Sequence, residues 1–297
     1  MSQKGALVAA IIIAVLIGAA VGYVIAPKGG GGATNTNPTQ TTSTTSSTQT
    51  STNYSQQGGT QGGTSGEEYT IKLAYSDKVG FYLTDSQGRT LYVFAKDING
   101  SSACYGTCAE KWPPFYTETI KVSPGLDPND FGVITRSDGK KQITYKGWPL
   151  YYFFKDNAPG DINGDGVKNV WYVAKPDYTV LVGYKEGLGL FLVDSKGMTL
   201  YFFANDANET SSCYGQCAEK WPVFAPSPSN EIVIPSILNI TDFNVIVRDD
   251  GKIQLVYKGH PLYYWINDQA RGDTNGHGVK NVWFVANITG QLPQTGG

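Results

Sequence analysis

Leu91 to Asp97 reads LYVFAKD, and the phrase returns as LYYFFKD from Leu150, LYFFAND from Leu200 and LYYWIND from Leu262. The shared core is a tyrosine, any residue, an aromatic, two residues and an aspartate: Tyr92/Phe94/Asp97, Tyr151/Phe153/Asp156, Tyr201/Phe203/Asp206 and Tyr263/Trp265/Asp268. Side chains alternate along a strand, so Tyr92 and Phe94 share one face while Leu91 and Val93 share the other. Both faces are apolar, which predicts an arm buried on both sides and closed at Asp97 by an Asx-type turn. A second reading makes the aromatics a platform for stacking sugar rings or other planar ligands. A turn signal precedes each copy, Asp85-Ser-Gln-Gly88 or Lys146-Gly147 in the first half, so each copy is expected to be the second arm of a β-hairpin. Further strands are expected at Tyr69 to Ala74, at Val170 to Ala174 and at their later equivalents.

Outward from these phrases the chain is an internal duplication. Tyr69, Leu91, Cys104, Cys108 and Trp112 recur as Tyr178, Leu200, Cys213, Cys217 and Trp221. Tyr145, Pro149, Asp161 and Trp171 recur as Tyr257, Pro261, Asp273 and Trp283, after an insertion of three residues that follows Trp221. The organisation read from this is 1–27 as an anchor or uncleaved signal, 28–67 as a stalk, 68–177 and 178–290 as two homologous units, and 291–297 as a tail. An aromatic content of 12%, with 36 glycines and 15 prolines, leans towards strands and turns. The expected fold is all-β, two antiparallel sandwich- or barrel-like units in tandem, with a four-bladed propeller as the alternative.

All four cysteines lie in a phrase that occurs twice, CYGTCAEKWP from Cys104 and CYGQCAEKWP from Cys213. Residues four apart on one helical turn lie about 6 Å apart at Cα, which favours disulfides Cys104–Cys108 and Cys213–Cys217 in an exported protein. Zinc or copper, or a redox-active dithiol helped by Lys111 and Lys220, are the other readings. Covalent haem is disfavoured because Ala109 and Ala218 follow the second cysteines.

With the tyrosine motifs, the cysteine phrases and the PGDxNG-type phrase at Pro159, residues 69–286 resemble a family of secreted repeats of unknown function, predicted lipoproteins with a Yx(F/W/Y)xxD motif. The resemblance implies a secreted head and brings no activity. An acylated amino-terminal cysteine is missing, so anchoring is expected to come from a helix. Gly5 to Ala26 is uncharged and apolar, roughly 33 Å long at ~1.5 Å per residue, enough to cross a bilayer. A cleavable signal, whose apolar core usually spans about 7 to 15 residues, is the rival reading. The Lys4-Gly5-Ala6 junction resembles the processing site of type IV pilin-like precursors, which implies a surface-assembly subunit as a further alternative. The Gly/Ser/Thr-rich stretch that follows cannot bury enough apolar surface to fold, and is expected to be a flexible stalk.

Asn53, Asn99, Asn208, Asn239 and Asn287 stand in N-glycosylation patterns. Asp161, Asn163 and Asp165 occupy the first positions of a calcium-type loop, yet Tyr172 stands where a bidentate glutamate belongs and His277 replaces Asp165 in the second copy. The closing LPQTGG contains an LPxTG-type string and is expected to be a chance ending or a tag.

A net charge of -2, from 23 basic and 25 acidic residues without a basic run, argues against a nucleic-acid partner. The two histidines, His260 and His277, align with Trp148 and Asp165, so no histidine chemistry can be shared by both copies. No phosphate loop, nucleophile elbow or metalloprotease helix is present, so an enzyme is not expected, nor is a cofactor. The expected protein is a single-pass membrane-anchored, extracellular binding, adhesion or envelope module with a carbohydrate or envelope partner. The alternative is extracytoplasmic redox or metal handling.

Overall fold

The computed structural model describes residues 68–226 and 231–292. The expected anchor and stalk, Asn53 and residues 293–297 lie outside them. Among the described residues no helix is long and apolar enough to cross a membrane.

Among the described residues, fourteen short strands and two one-turn helices follow one another in a series that is run through twice. The first pass is β1 (Ile71–Ser76), β2 (Gly80–Asp85), β3 (Tyr92–Phe94), α1 (Thr107–Lys111), β4 (Phe131–Thr135), β5 (Lys141–Tyr145), β6 (Trp148–Pro149) and β7 (Trp171–Val173). The second is β8 (Val180–Lys185), β9 (Gly189–Asp194), β10 (Tyr201–Phe203), α2 (Gln216–Lys220), β11 (Phe243–Val247), β12 (Ile253–Tyr257), β13 (His260–Pro261) and β14 (Trp283–Val285). The all-β expectation holds. The sheets, however, have only two or three strands, and none of them closes into a barrel.

One sequence expectation needs correcting. The motif arm does begin as the second arm of a hairpin, with Leu91 N donating to Leu83 O at 2.9 Å. It then leaves that hairpin, and β3 pairs with β7, matching Tyr92 to Val173 and Phe94 to Trp171. The other motif arm does the same: Phe115 N donates to Leu150 O and Phe154 N to Lys111 O, so Leu150 to Phe154 pairs with Lys111 to Phe115. Each half of a pass thus lends its last strand to the other half. Tyr92 and Tyr151 face each other at the centre, each donating its amide to the other's carbonyl at 2.9 and 3.0 Å, which marks a pseudo-two-fold axis. The second pass repeats this with β10 on β14 and with Tyr201 opposite Tyr263.

The reason for this exchange lies in the motif itself. The Tyr151 hydroxyl donates to Asp97 at 2.5 Å and the Tyr92 hydroxyl to Asp156 at 2.6 Å, so each tyrosine caps the aspartate of the opposite arm. The Tyr263 hydroxyl reaches Asp206 at 2.7 Å and that of Tyr201 reaches Asp268. A buried carboxylate left without donors is costly, and a tyrosine drawn fully into an apolar core also requires a hydrogen-bond partner. Exchange across the axis satisfies all eight groups. The expected Asx-type turn is not what these aspartates make: Asp97 accepts from Ala103 N at 2.7 Å and Asp156 from Asn163 N at 3.0 Å, so each ties down a loop six or seven residues further on.

The two passes pack into one body. Arg271 of the second pass donates to Ile98 O at 2.7 Å and to Lys146 O at 3.1 Å, and its guanidinium lies 4.5 Å over the Trp148 ring. Trp148 Nε1 donates to Ser195 O at 3.1 Å. Gly147 has no room for a side chain because Arg271 fills that space, while the matching Gly259 is covered by the second pass's own Asn208.

Candidate binding groove

Behind each pair of motif arms lies a column of stacked rings. Trp112 and Trp171, related by the pseudo-two-fold, stack at 3.8 Å with planes 1° apart. The motif aromatics close the ends: Phe94 lies 4.0 Å from Trp171, and Phe153 lies 4.2 Å from Trp112. Tyr92 and Tyr151 meet the indoles edge-on at 5.4 and 5.1 Å. The second pass repeats the column as Phe203, Trp283, Trp221 and Trp265, with central rings at 3.7 Å. The middle aromatic of the motif is therefore an end plate of a stack, and the expectation of an arm buried on both faces is met. Both faces of every tryptophan in the first column are covered, so no indole face is free to stack on a sugar.

Each cysteine phrase fixes one of these tryptophans. Gly106, at φ 55, turns the chain into α1, and the disulfides Cys104–Cys108 and Cys213–Cys217 hold that turn with Cα atoms 5.2 Å apart. Cys104 is fully buried and Cys108 half-buried. Beneath them runs a buried polar network. Arg136 donates to Cys104 O at 2.7 Å, to Ser102 Oγ at 2.6 Å and to Gln142 Oε1 at 2.7 Å, and Gln142 donates to Leu150 O at 2.8 Å. Arg248 makes the same set of bonds to Cys213, Ser211 and Gln254. Burial pushes the Asp97 carboxyl up to about 7, against the lowering effects of Tyr151, the Ala103 amide, Arg136 and Arg271. Burial likewise raises Asp156, Asp206 and Asp268, and drives Tyr92 and Tyr151 far above the ordinary phenol value.

The calcium-type loop serves this core. Asp161 accepts from the amides of Asn157 and Ala158 at 2.9 and 3.0 Å, Asn163 donates to Lys155 O, and Asp165 accepts from Val173 N at 3.0 Å. In the second pass His277 Nδ1 accepts from Val285 N at 3.2 Å in the place of Asp165, so the position requires an acceptor of either kind. Gly164 lies flat on the column: a Cβ there would come within 2.7 Å of the Tyr92 ring and 2.9 Å of Trp112. Among the described residues no group of three or more His, Cys, Asp or Glu is placed to hold a metal ion. Asn99, Asn208 and Asn239 are exposed and Asn287 is half-buried, its amide nitrogen donating to Gln291 O.

The first column forms the floor of a half-open cavity of about 550 Å³. Lys96, Lys111, Lys155 and Lys168 stand around it, all exposed, and among the described residues no carboxylate lines it. Sequence reasoning missed this rim, although a signal was there. The residue before the motif aspartate is lysine in both first-pass copies, Lys96 and Lys155, and asparagine in both second-pass copies, Asn205 and Asn267.

A family model described as a secreted repeat of unknown function matches residues 74–116, 132–175, 185–225 and 244–287. The chain belongs to this family. No curated protein and no solved structure matches it. Each match carries one tyrosine motif and one of the central column tryptophans, Trp112, Trp171, Trp221 or Trp283, so the family repeat is half a pass, and a pass is two interlocked repeats.

Proposed function

We propose that the protein is a membrane-anchored, extracellular, non-enzymatic binding module: two tandem head units, each built from two secreted repeats, carried on a stalk above a single N-terminal helix. The observation that carries this reading is the groove of about 550 Å³ over the first aromatic column, of the size and apolar lining expected of a ligand site. The motif aspartates, which would be the natural acids and bases of an enzyme, are taken up by tyrosines and backbone amides. The anchor, stalk and glycosylated surface rest on the apolar run at Gly5, the Ser/Thr-rich stretch and the exposed sequons. Envelope association or adhesion is the role that such a stalked head serves.

The test is capture of the full-length chain by isolated cell envelopes, with protease treatment of intact cells to locate the head. Saturable capture with a head cleaved from outside supports the reading, whereas a chain that ignores envelopes or stays protected inside overturns it. A second reading, disulfide-based redox exchange, draws on one observation: half-buried Cys108 lines the same groove. Titration with dithiols of graded potential separates the two. Two disulfides that open reversibly to four thiols near the potentials of exchange proteins favour redox work, and bonds that open only on unfolding favour a structural clasp.

A further inference from the structure

We infer that the first-pass groove binds a ring-bodied ligand carrying two or more anionic groups, and that the second pass lacks this site. The inference deepens the binding reading above and rests on it. Three features of the groove converge on it.

The first is the form of the floor. Trp171 is sandwiched between Phe94 and Trp112, and Trp112 between Trp171 and Phe153, so what the tryptophans offer the cavity is their edges. An aromatic edge is the positive part of the ring's quadrupole. A ring body can lie across such edges, and the positive edge adds to the preference for an anionic ligand. The indole N–H groups of Trp112 and Trp171 donate to no protein acceptor, and the single sealed, unpartnered side-chain nitrogen or oxygen among the described residues is Arg271 Nη2. Neither indole nitrogen is completely sealed, although both tryptophans are buried.

The second is the rim. Four lysines surround the floor without a carboxylate to neutralise them. Lys96 is steered by the Tyr184 ring at 4.6 Å, and Lys155 by Phe154 at 5.6 Å, so two ammonium groups are held near rings rather than spent in ion pairs. Lys96 and Lys155 hold equivalent places on the two motif arms, which suits a ligand with anionic groups at both ends. A concave, low-dielectric site lined by one sign of charge concentrates the opposite charge.

The third is the contrast within the chain. The second pass keeps the column, Lys220 and Lys280, but has Asn205 and Asn267 in place of the symmetric pair Lys96 and Lys155. The fold evidently does not require that pair, since the second column stacks equally well without it. Its presence in one pass marks a surface specialised for ligand charge.

The experiment uses the full-length chain, with tryptophan fluorescence and calorimetry as readouts. Naphthalene-2,6-disulfonate is the aromatic probe, trigalacturonate the sugar-based one, and naphthalene-2,6-diol the neutral control. At least one dianionic or polyanionic probe is expected to bind with one site per chain, and to weaken as ionic strength rises from about 0.01 to about 1 M, where the Debye length falls from roughly 30 to 3 Å. The probe that binds identifies the source of the ring. The paired variant Lys96→Asn/Lys155→Asn, which copies the second pass, is expected to bind about tenfold or more weakly, each tenfold being about 1.4 kcal/mol. The reverse pair, Asn205→Lys/Asn267→Lys, is expected to raise the stoichiometry to two. Equal binding of the neutral diol, indifference to both swaps, or no binding of either anion would overturn the inference. If envelopes still capture the Lys96→Asn/Lys155→Asn variant fully, the groove inference falls while the binding reading stands.

Discussion

The two passes of this chain agree inside and disagree at their rims. Arg136 and Arg248 hold the same three kinds of acceptor, the tyrosine–aspartate exchange occurs in both, and both columns stack four rings in the same order, with Trp265 in the place of Phe153. At the rim, Lys96 and Lys155 face Asn205 and Asn267, while buried Trp148, which packs against the other pass, is matched by His260 and so differs for a reason of the seam. Gly147 is covered by a side chain from the other pass, Gly259 by one from its own. Groups that satisfy each other across an axis cannot be changed singly without leaving a buried partner unpaired. Groups at the rim answer only to solvent or ligand, and there the copies have parted.

The strongest way to break the comparison is at the buried arginines. Arg136→Met and Arg248→Met are each expected to cost about 3–5 kcal/mol, because each strands buried partners that no water reaches. Chemical denaturation measures both, and a marked inequality between them would show that the two interiors are not equivalent. Next, removing a disulfide as Cys104→Ala/Cys108→Ala is expected to cost about 2 kcal/mol, the chain-entropy figure for so short a loop, and the matching second-pass pair the same. A much larger loss would mean that the bond positions Trp112 more firmly than loop closure alone explains.

Arg271→Leu bears on how the passes hold together. Its loss removes two bonds to first-pass carbonyls and the contact with Trp148. It is expected to destabilise by about 1–3 kcal/mol and to split one unfolding transition into two in calorimetry.

Acidity sharpens the contrast with the smallest effect per step. Asp97 has its folded value raised to about 7 by burial, so the folded state holds the proton more tightly than the unfolded chain. Its contribution is fully present below about pH 4 and is lost as pH rises through about 7, with a slope of at most about 1.4 kcal/mol per pH unit. His277 has the opposite sign. Burial lowers its value, so its contribution is present at neutral pH and is lost as pH falls below its ordinary value of 6.5. Thermal unfolding between pH 4 and 8 is expected to lose the first slope in Asp97→Asn and the second in His277→Asp, which installs the first-pass residue. Unchanged profiles would mean that other carboxyls dominate.

Much of this was legible in the residues. The Tyr-x-aromatic period gave the doubly buried arms, CYGTCAEKWP gave the clasp, and the four phrases gave four repeats. The partner of β3 was not legible. Periodicity reports which face of a strand is buried and is silent on which distant strand covers it, and the turn signal at Gly88 pointed only to the hairpin in which the arm begins. The tyrosine–aspartate exchange was hidden for the same reason, since each pair joins positions far apart in sequence. The lysine rim was hidden otherwise: single exposed lysines carry no pattern, and only the alignment of Lys96 with Asn205 reveals them.

The strand exchange also bears on what a shortened chain could keep. The β1–β2 hairpin is local, and Tyr92 needs only Tyr151, but β3 is completed by β7, the last strand of its pass. A pass cut short before Trp171 would therefore retain a hairpin and lose its column, because Phe94 and Trp112 both stack on that one ring.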